Sequence, residues 1–89
     1  MNVKYTVYHK NWPKYKTKEM AIQFAGRGER VLIAIFTQNK IYYSTITEGF
    51  ISDYSFKTKE EATSFARNNL GNMFDELLIV PYTIIQKLN

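Results

Sequence analysis

The chain has 89 residues, no cysteine, a net charge of +4, and 45% hydrophobic and 16% aromatic residues. That length carries one small core, and so much apolar and aromatic sequence excludes a disordered polyelectrolyte. The lack of cysteine excludes a disulfide framework, a thiolate nucleophile and a cysteine-ligated metal. No stretch approaches the ~18 apolar residues of a membrane span and no signal-like run opens the chain, so a single cytoplasmic domain is expected, with no membrane partner.

Val3, Tyr5 and Val7 alternate with Lys4, Thr6 and Tyr8, the period-2 pattern of a strand with one buried face. His9-Lys10-Asn11 reads as a turn, after which Trp12-Pro13-Lys14-Tyr15 returns as a short irregular strand that Pro13 confines to an edge. A first helix is predicted from about Lys18 to Arg27, with Ala21, Phe24 and Ala25 as its buried stripe, Phe24 docked on a sheet, and Gly26 and Gly28 at its end. Val31 to Phe36 is unbroken apolar sequence and reads as the central strand. Next come a turn at residues 37–40, a strand over Ile41 to Thr47, a tight hairpin at Glu48-Gly49 and another strand over Phe50 to Phe56. The second helix spans about Lys59 to Leu70, with Ala62, Phe65, Ala66 and Leu70 on one stripe and Gly71 as the residue that ends it. The last strand, Leu77 to Val80 and Tyr82 to Ile85, holds Pro81, which predicts an edge or a bulge.

These elements predict an α+β two-layer sandwich. Its mainly antiparallel sheet has about five strands and two short helices on one face, closest to a ferredoxin-like plan with an extra hairpin. The other face, carrying Thr, Ser and Tyr, is expected to be uncovered. One stretch occurs twice: Tyr15 to Ala25 returns as Phe56 to Ala66, an offset of 41 residues that keeps Lys, Thr, Lys, Glu, Ala, Phe and Ala in order. Thr17 and Thr58 are the natural N-caps, and Glu61 completes a capping box in the second copy. Two readings stand open, generic helix-start chemistry and an internal duplication of repeat size.

The stretch from Gly49 to Phe56 followed by Lys57 to Ala62 resembles the RNA-recognition-motif signature, an aromatic strand before a helix that opens with acids and Ala. Asp53 stands where that family stacks a base on an aromatic, and Gly49 where its strand motif opens on a basic residue. Phe56, Thr58, Glu60, Glu61 and Ala62 also resemble part of the hybrid-binding module found beside some ribonucleases H. No functional residue carries over from either family.

The charge is unevenly placed. Residues 1–40 hold eight Lys and Arg against two Glu, a net of +6, and residues 41–89 hold four against six acids, a net of −2. An anionic partner for one surface is therefore expected. The candidate macromolecule-binding residues are Tyr8, His9, Lys10, Trp12, Lys14, Tyr15, Lys16 and Lys18, aromatic planes interleaved with cations. Enzyme signatures are lacking: His9 is the only histidine, and Glu60-Glu61 and Asp75-Glu76 are sequence neighbours that point in different directions on a helix. No glycine loop opens a helix to cradle phosphate. The chain is thus expected to be non-catalytic, with no cofactor or metal. A compact Lys-, Asn-, Ile- and Tyr-rich chain resembles the small inhibitors and adaptors of bacteriophages and mobile elements. The expected partner is an acidic surface of another protein, with single-stranded nucleic acid as the alternative, and the protein is a monomer or a homodimer.

Overall fold

The computed structural model describes residues 3–28 and 31–88. In chain order they form β1 (Lys4–His9), α1 (Lys18–Gln23), β2 (Val31–Thr37), β3 (Lys40–Ile46), α2 (Glu48–Asp53), α3 (Lys59–Asn69), a 3-10 segment (Gly71–Glu76) and β4 (Leu77–Lys87). The four strands make one sheet in the order β1-β4-β2-β3, every neighbouring pair antiparallel. The α+β class and the antiparallel sheet follow the sequence expectation; four strands stand among the described residues where about five were expected.

The missing strand is the segment after β3. Gly49 does not turn a hairpin. Thr47 instead caps a helix, its Oγ1 accepting the Phe50 N–H at 3.1 Å, and α2 drops Phe50 and Ile51 onto the core. An alternating aromatic run and a cap-plus-turn signal compete here, and burial of two adjacent apolar side chains favours the helix.

β2 is the spine, with Val31 to Ile35 buried between β4 and β3. The Thr37–Lys40 reversal that joins it to β3 places Asn39 at φ 63°, a left-handed conformation that asparagine tolerates better than most residues. Of the edge or bulge expected from its proline, β4 shows the bulge: it is internal, and Ile85 is an extra residue between the pairs Ile33↔Ile84 and Leu32↔Gln86. β4 accommodates Pro81 because β1 pairs with its first half and β2 with its second. The Tyr5 backbone opposite Pro81 bonds outward to Phe56, and the β2 ladder begins one residue later at Ile35 and Tyr82. The missing N–H thus falls where one ladder hands over to the other, and the bulge lies instead beside Leu32 and Ile33.

Exchanging β1 with β3 and β2 with β4 reverses the strand order onto itself, which gives the sheet an approximate two-fold axis between its two central antiparallel strands. The helices obey the same exchange: α1 packs on β3 and β2, α3 on β1 and β4. So do the residues before them. Tyr15 forms an isolated bridge to Tyr43 on the β3 edge, and Phe56 forms one to Tyr5 on the β1 edge. The caps coincide, Thr17 at φ −129°, ψ 155° and Thr58 at φ −129°, ψ 157°, each Oγ1 accepting the N–H three residues on at 3.1 Å. The return bond expected from Glu61 is not formed among the described residues, so the capping box is half made. Ala21 and Ala62, the first inward residue of each helix, are both fully buried. The sequence match is therefore also a match of position.

A two-fold perpendicular to the sheet keeps α1 and α3 on one face. The opposite face is covered, contrary to expectation. Tyr8, Val31, Ile33, Ile35, Ile46, Val80 and Tyr82 form a buried cluster there, closed by Phe50 and Ile51 of α2. The sheet curls enough for its two edge strands to meet across this face, the Tyr8 hydroxyl lying 2.8 Å from Ser44 Oγ. The polar and aromatic side chains predicted for it are present but buried, Thr6, Ser44 and Tyr8 among them. On the helix face, Val7, Ala62 and Ala66 anchor a second cluster with Tyr5, Phe56, Phe65, Leu70, Phe74, Leu77 and Ile79.

Candidate macromolecule-binding surface

The segment predicted to bind a partner splits into a support and a surface. Tyr8 is the support. At 1% exposure its ring cannot meet a ligand, and a place in the binding set is corrected to a place beneath it. Its alternation with Val7 puts it on the curled face, where its hydroxyl reaches the Pro13 carbonyl at 2.7 Å and Ser44 Oγ, and Ser44 Oγ also donates to Pro13 at 3.0 Å. These bonds pin the loop after β1 to β3. His9 likewise has a structural setting: its Nδ1 accepts the Asn11 N–H at 3.0 Å, its Nε2 lies 4.0 Å from Glu76, and the next residue, Lys10, bonds its N–H to the Glu76 carbonyl.

Trp12 sits on that pinned loop, edge-on to Tyr8 at 5.3 Å and tilted against Phe50 at 5.2 Å, with 43% of its surface still exposed. Tyr15, half-buried by its bridge to β3, stacks on Phe24 at 5.7 Å and an interplanar angle of 18°. Trp12, Pro13, Tyr15 and Phe24 wall a hollow of about 340 Å³ whose floor is Tyr8, Ser44 and Thr45. Lys10, Lys16 and Lys18 are exposed, and Lys14 is half-buried with its Nζ 6.0 Å from the Tyr8 ring. Among the described residues none of Lys10, Lys14, Lys16 and Lys18 is held in an ion pair.

One member of the surface was assigned elsewhere from the sequence, and another was not singled out. Phe24 was expected to dock on the sheet, yet it is 57% exposed, because the helix stops at Gln23 and Phe24 is already its C-cap. Met20, 41% exposed, lies one helical turn before Phe24 and so on the same side. The helix stops at Gln23, before the Gly26 and Gly28 pair that was expected to end it.

Chemically the hollow offers aromatic side chains for burial and a polar floor, in a segment that carries Lys10, Lys14, Lys16 and Lys18. Among the described residues, no group of three or more His, Asp and Glu is placed to hold a metal ion. No helix among them is long and apolar enough to cross a membrane. The chain matches no known protein family, and no curated protein or solved structure matches it either.

Proposed function

We propose that this is a non-catalytic binding protein that works by occupying an acidic surface of another protein, in the manner of a small inhibitor or adaptor. The observation that carries the proposal is the grouping of exposed Trp12 and Phe24 with Tyr15 around one hollow, in a segment that also carries Lys14, Lys16 and Lys18. Exposed aromatic and methionine side chains are enriched in interface centres, where a ring of polar residues then excludes water. The kinship with phage or mobile-element accessory proteins is supported by composition alone.

Affinity capture from the native host tests the reading. Trp12→Ala combined with Lys14→Glu should abolish retention of the partner while circular dichroism and the unfolding midpoint stay near the parent's. Undiminished retention would exclude this surface. A second reading, single-stranded nucleic acid, is favoured by the stacked Tyr15 and Phe24 pair among lysines, since base-on-ring stacking is worth roughly 1–3 kcal/mol per base. Exposed Met20 gives no such stacking plane and counts against it. Oligonucleotide binding through about four phosphates would weaken with log salt at a slope near −3, and lack of any binding at low salt removes this alternative.

A further inference from the structure

The turn that leads from β1 to Trp12 commits each of its backbone donors, one of them to a side chain that titrates. Lys10 donates its N–H to the Glu76 carbonyl at 3.0 Å, Trp12 to the His9 carbonyl at 2.9 Å, and Asn11 to His9 Nδ1 at 3.0 Å. A side chain that accepts the N–H two residues on is the device by which Asn and Asp fix a turn. Here an imidazole performs it. Nδ1 accepts only while it carries no proton, so the ring is the neutral tautomer with its proton on Nε2. That nitrogen lies 4.0 Å from a Glu76 carboxylate oxygen. His9 thus stands between an N–H that requires the neutral ring and a carboxylate that attracts the charged one.

We infer that His9 is a pH-dependent latch on the turn that presents Trp12. On protonation Nδ1 becomes a donor and meets the Asn11 N–H donor to donor, so that bond is lost and the imidazolium turns toward Glu76. Asn11 is exposed, so water takes up the released N–H and no buried group is left bare. Solvent reaches the ring as well, with 21% of the His9 side chain exposed. Among the described residues Glu76 is the one carboxylate within ion-pair reach of it. β4 sets apolar Leu77 opposite His9, and Arg67 of α3 lies instead over Phe74. A second hollow, of about 240 Å³, which His9 lines with Trp12 and Phe50, holds one further titratable side chain, the phenol of Tyr54. On the turn itself Lys10 is exposed. The latch holds whatever the Trp12 surface binds, and so goes beyond the function proposed above: it gives that surface one arrangement with the ring neutral and another with it charged.

The test is an NMR titration of the intact protein from about pH 8 to about pH 5, the range in which imidazole changes charge. With the ring neutral, its nitrogen shifts should report the proton on Nε2. As the ring gains its second proton, the Asn11 and Trp12 amides should shift with the midpoint of the ring itself. Trp12 is the only tryptophan, and its emission should change over the same range. His9→Asn is the control, because an asparagine Oδ1 accepts the same N–H and does not titrate. Its spectrum at the alkaline end should match the parent's away from the turn, and the pH-dependent movement of the Asn11 amide and of the Trp12 emission should be lost.

A neutral ring with its proton on Nδ1 overturns the inference, as does an Asn11 amide that stays still while the ring titrates. So does a His9→Asn protein that folds like the parent and keeps the same pH-dependent movement, which would trace that movement to a carboxylate. Should the variant not fold, the ring tautomer and the Asn11 amide of the parent decide alone.

Discussion

The two halves of this protein use the same local code to opposite ends. Each sends a strand edge into an aromatic bridge residue, a threonine cap and a helix whose first inward residue is a buried alanine. In the second half the longer helix holds the phenylalanine at the next turn half-buried against Phe56 and Tyr54; in the first, the helix stops at Gln23 and leaves that phenylalanine 57% exposed. The same residue type at matched positions is therefore structural in one half and available in the other. A helix of six residues is too short to hold itself by propensity, and it persists because Ala21 and the Tyr15 bridge tie it to β2 and β3.

The sharpest way to break this comparison is to truncate both phenylalanines. Phe65→Ala should cost about 2–3 kcal/mol, a large-to-small loss reduced by its half-buried position, seen as a lower urea midpoint. Phe24→Ala should move that midpoint by less than about 0.5 kcal/mol, as exposed substitutions do, while abolishing partner capture. Equal losses of stability would mean that the halves are not divided in this way.

Much of this division is written in the sequence, though unevenly. The threonine caps, the buried alanines and the apolar run of β2 are local signals, and local chemistry made them readable. The exposure of Phe24 was not, because its spacing from Ala21 satisfies a buried stripe and only the length of the helix decides whether the stripe is used. Helix α2 was misread because Glu48-Gly49 suits a turn as well as a first helical turn, and the choice depends on what Phe50 and Ile51 find to cover. Tyr8 looked like a binding ring for the same reason. Strand alternation fixes which face a side chain takes, and only the curl of the sheet, joining β1 to β3 through Ser44, makes that face an interior.

Tyr8→Phe tests that joint. It removes the hydroxyl from the Pro13 carbonyl and Ser44 Oγ and should cost about 1–2 kcal/mol, near the upper range for one buried hydrogen-bonding group. It should also release the Trp12 loop, read as a change in tryptophan emission in the native state. Native emission identical to the parent's would show that Pro13 is held by Ser44 alone. The caps offer a finer comparison, because their geometry coincides while their helices do not. Thr58→Ala and Thr17→Ala each remove one bond to an orphan N–H and should each cost about 1 kcal/mol. Thr17→Ala should in addition weaken partner capture, since α1 carries Met20.

The smallest effect sets one buried hydroxyl against its counterpart. Thr6 and Ser44 each follow the edge-strand tyrosine that bridges to the other half, Tyr5 and Tyr43, and both point to the curled face. Ser44 is satisfied by Tyr8 and Pro13; the Thr6 hydroxyl, 1% exposed, has no hydrogen-bond partner among the described residues. A buried hydroxyl without a partner costs the desolvation of that group, so removing it at constant shape recovers free energy, whereas removing a bonded one strands its neighbours. Thr6→Val should leave stability unchanged or raise it by up to about 1 kcal/mol, and Ser44→Ala should lower it by about 1 kcal/mol. If urea unfolding shows Thr6→Val to be as costly as Ser44→Ala, Thr6 has a partner in solution and the two edge strands are held alike.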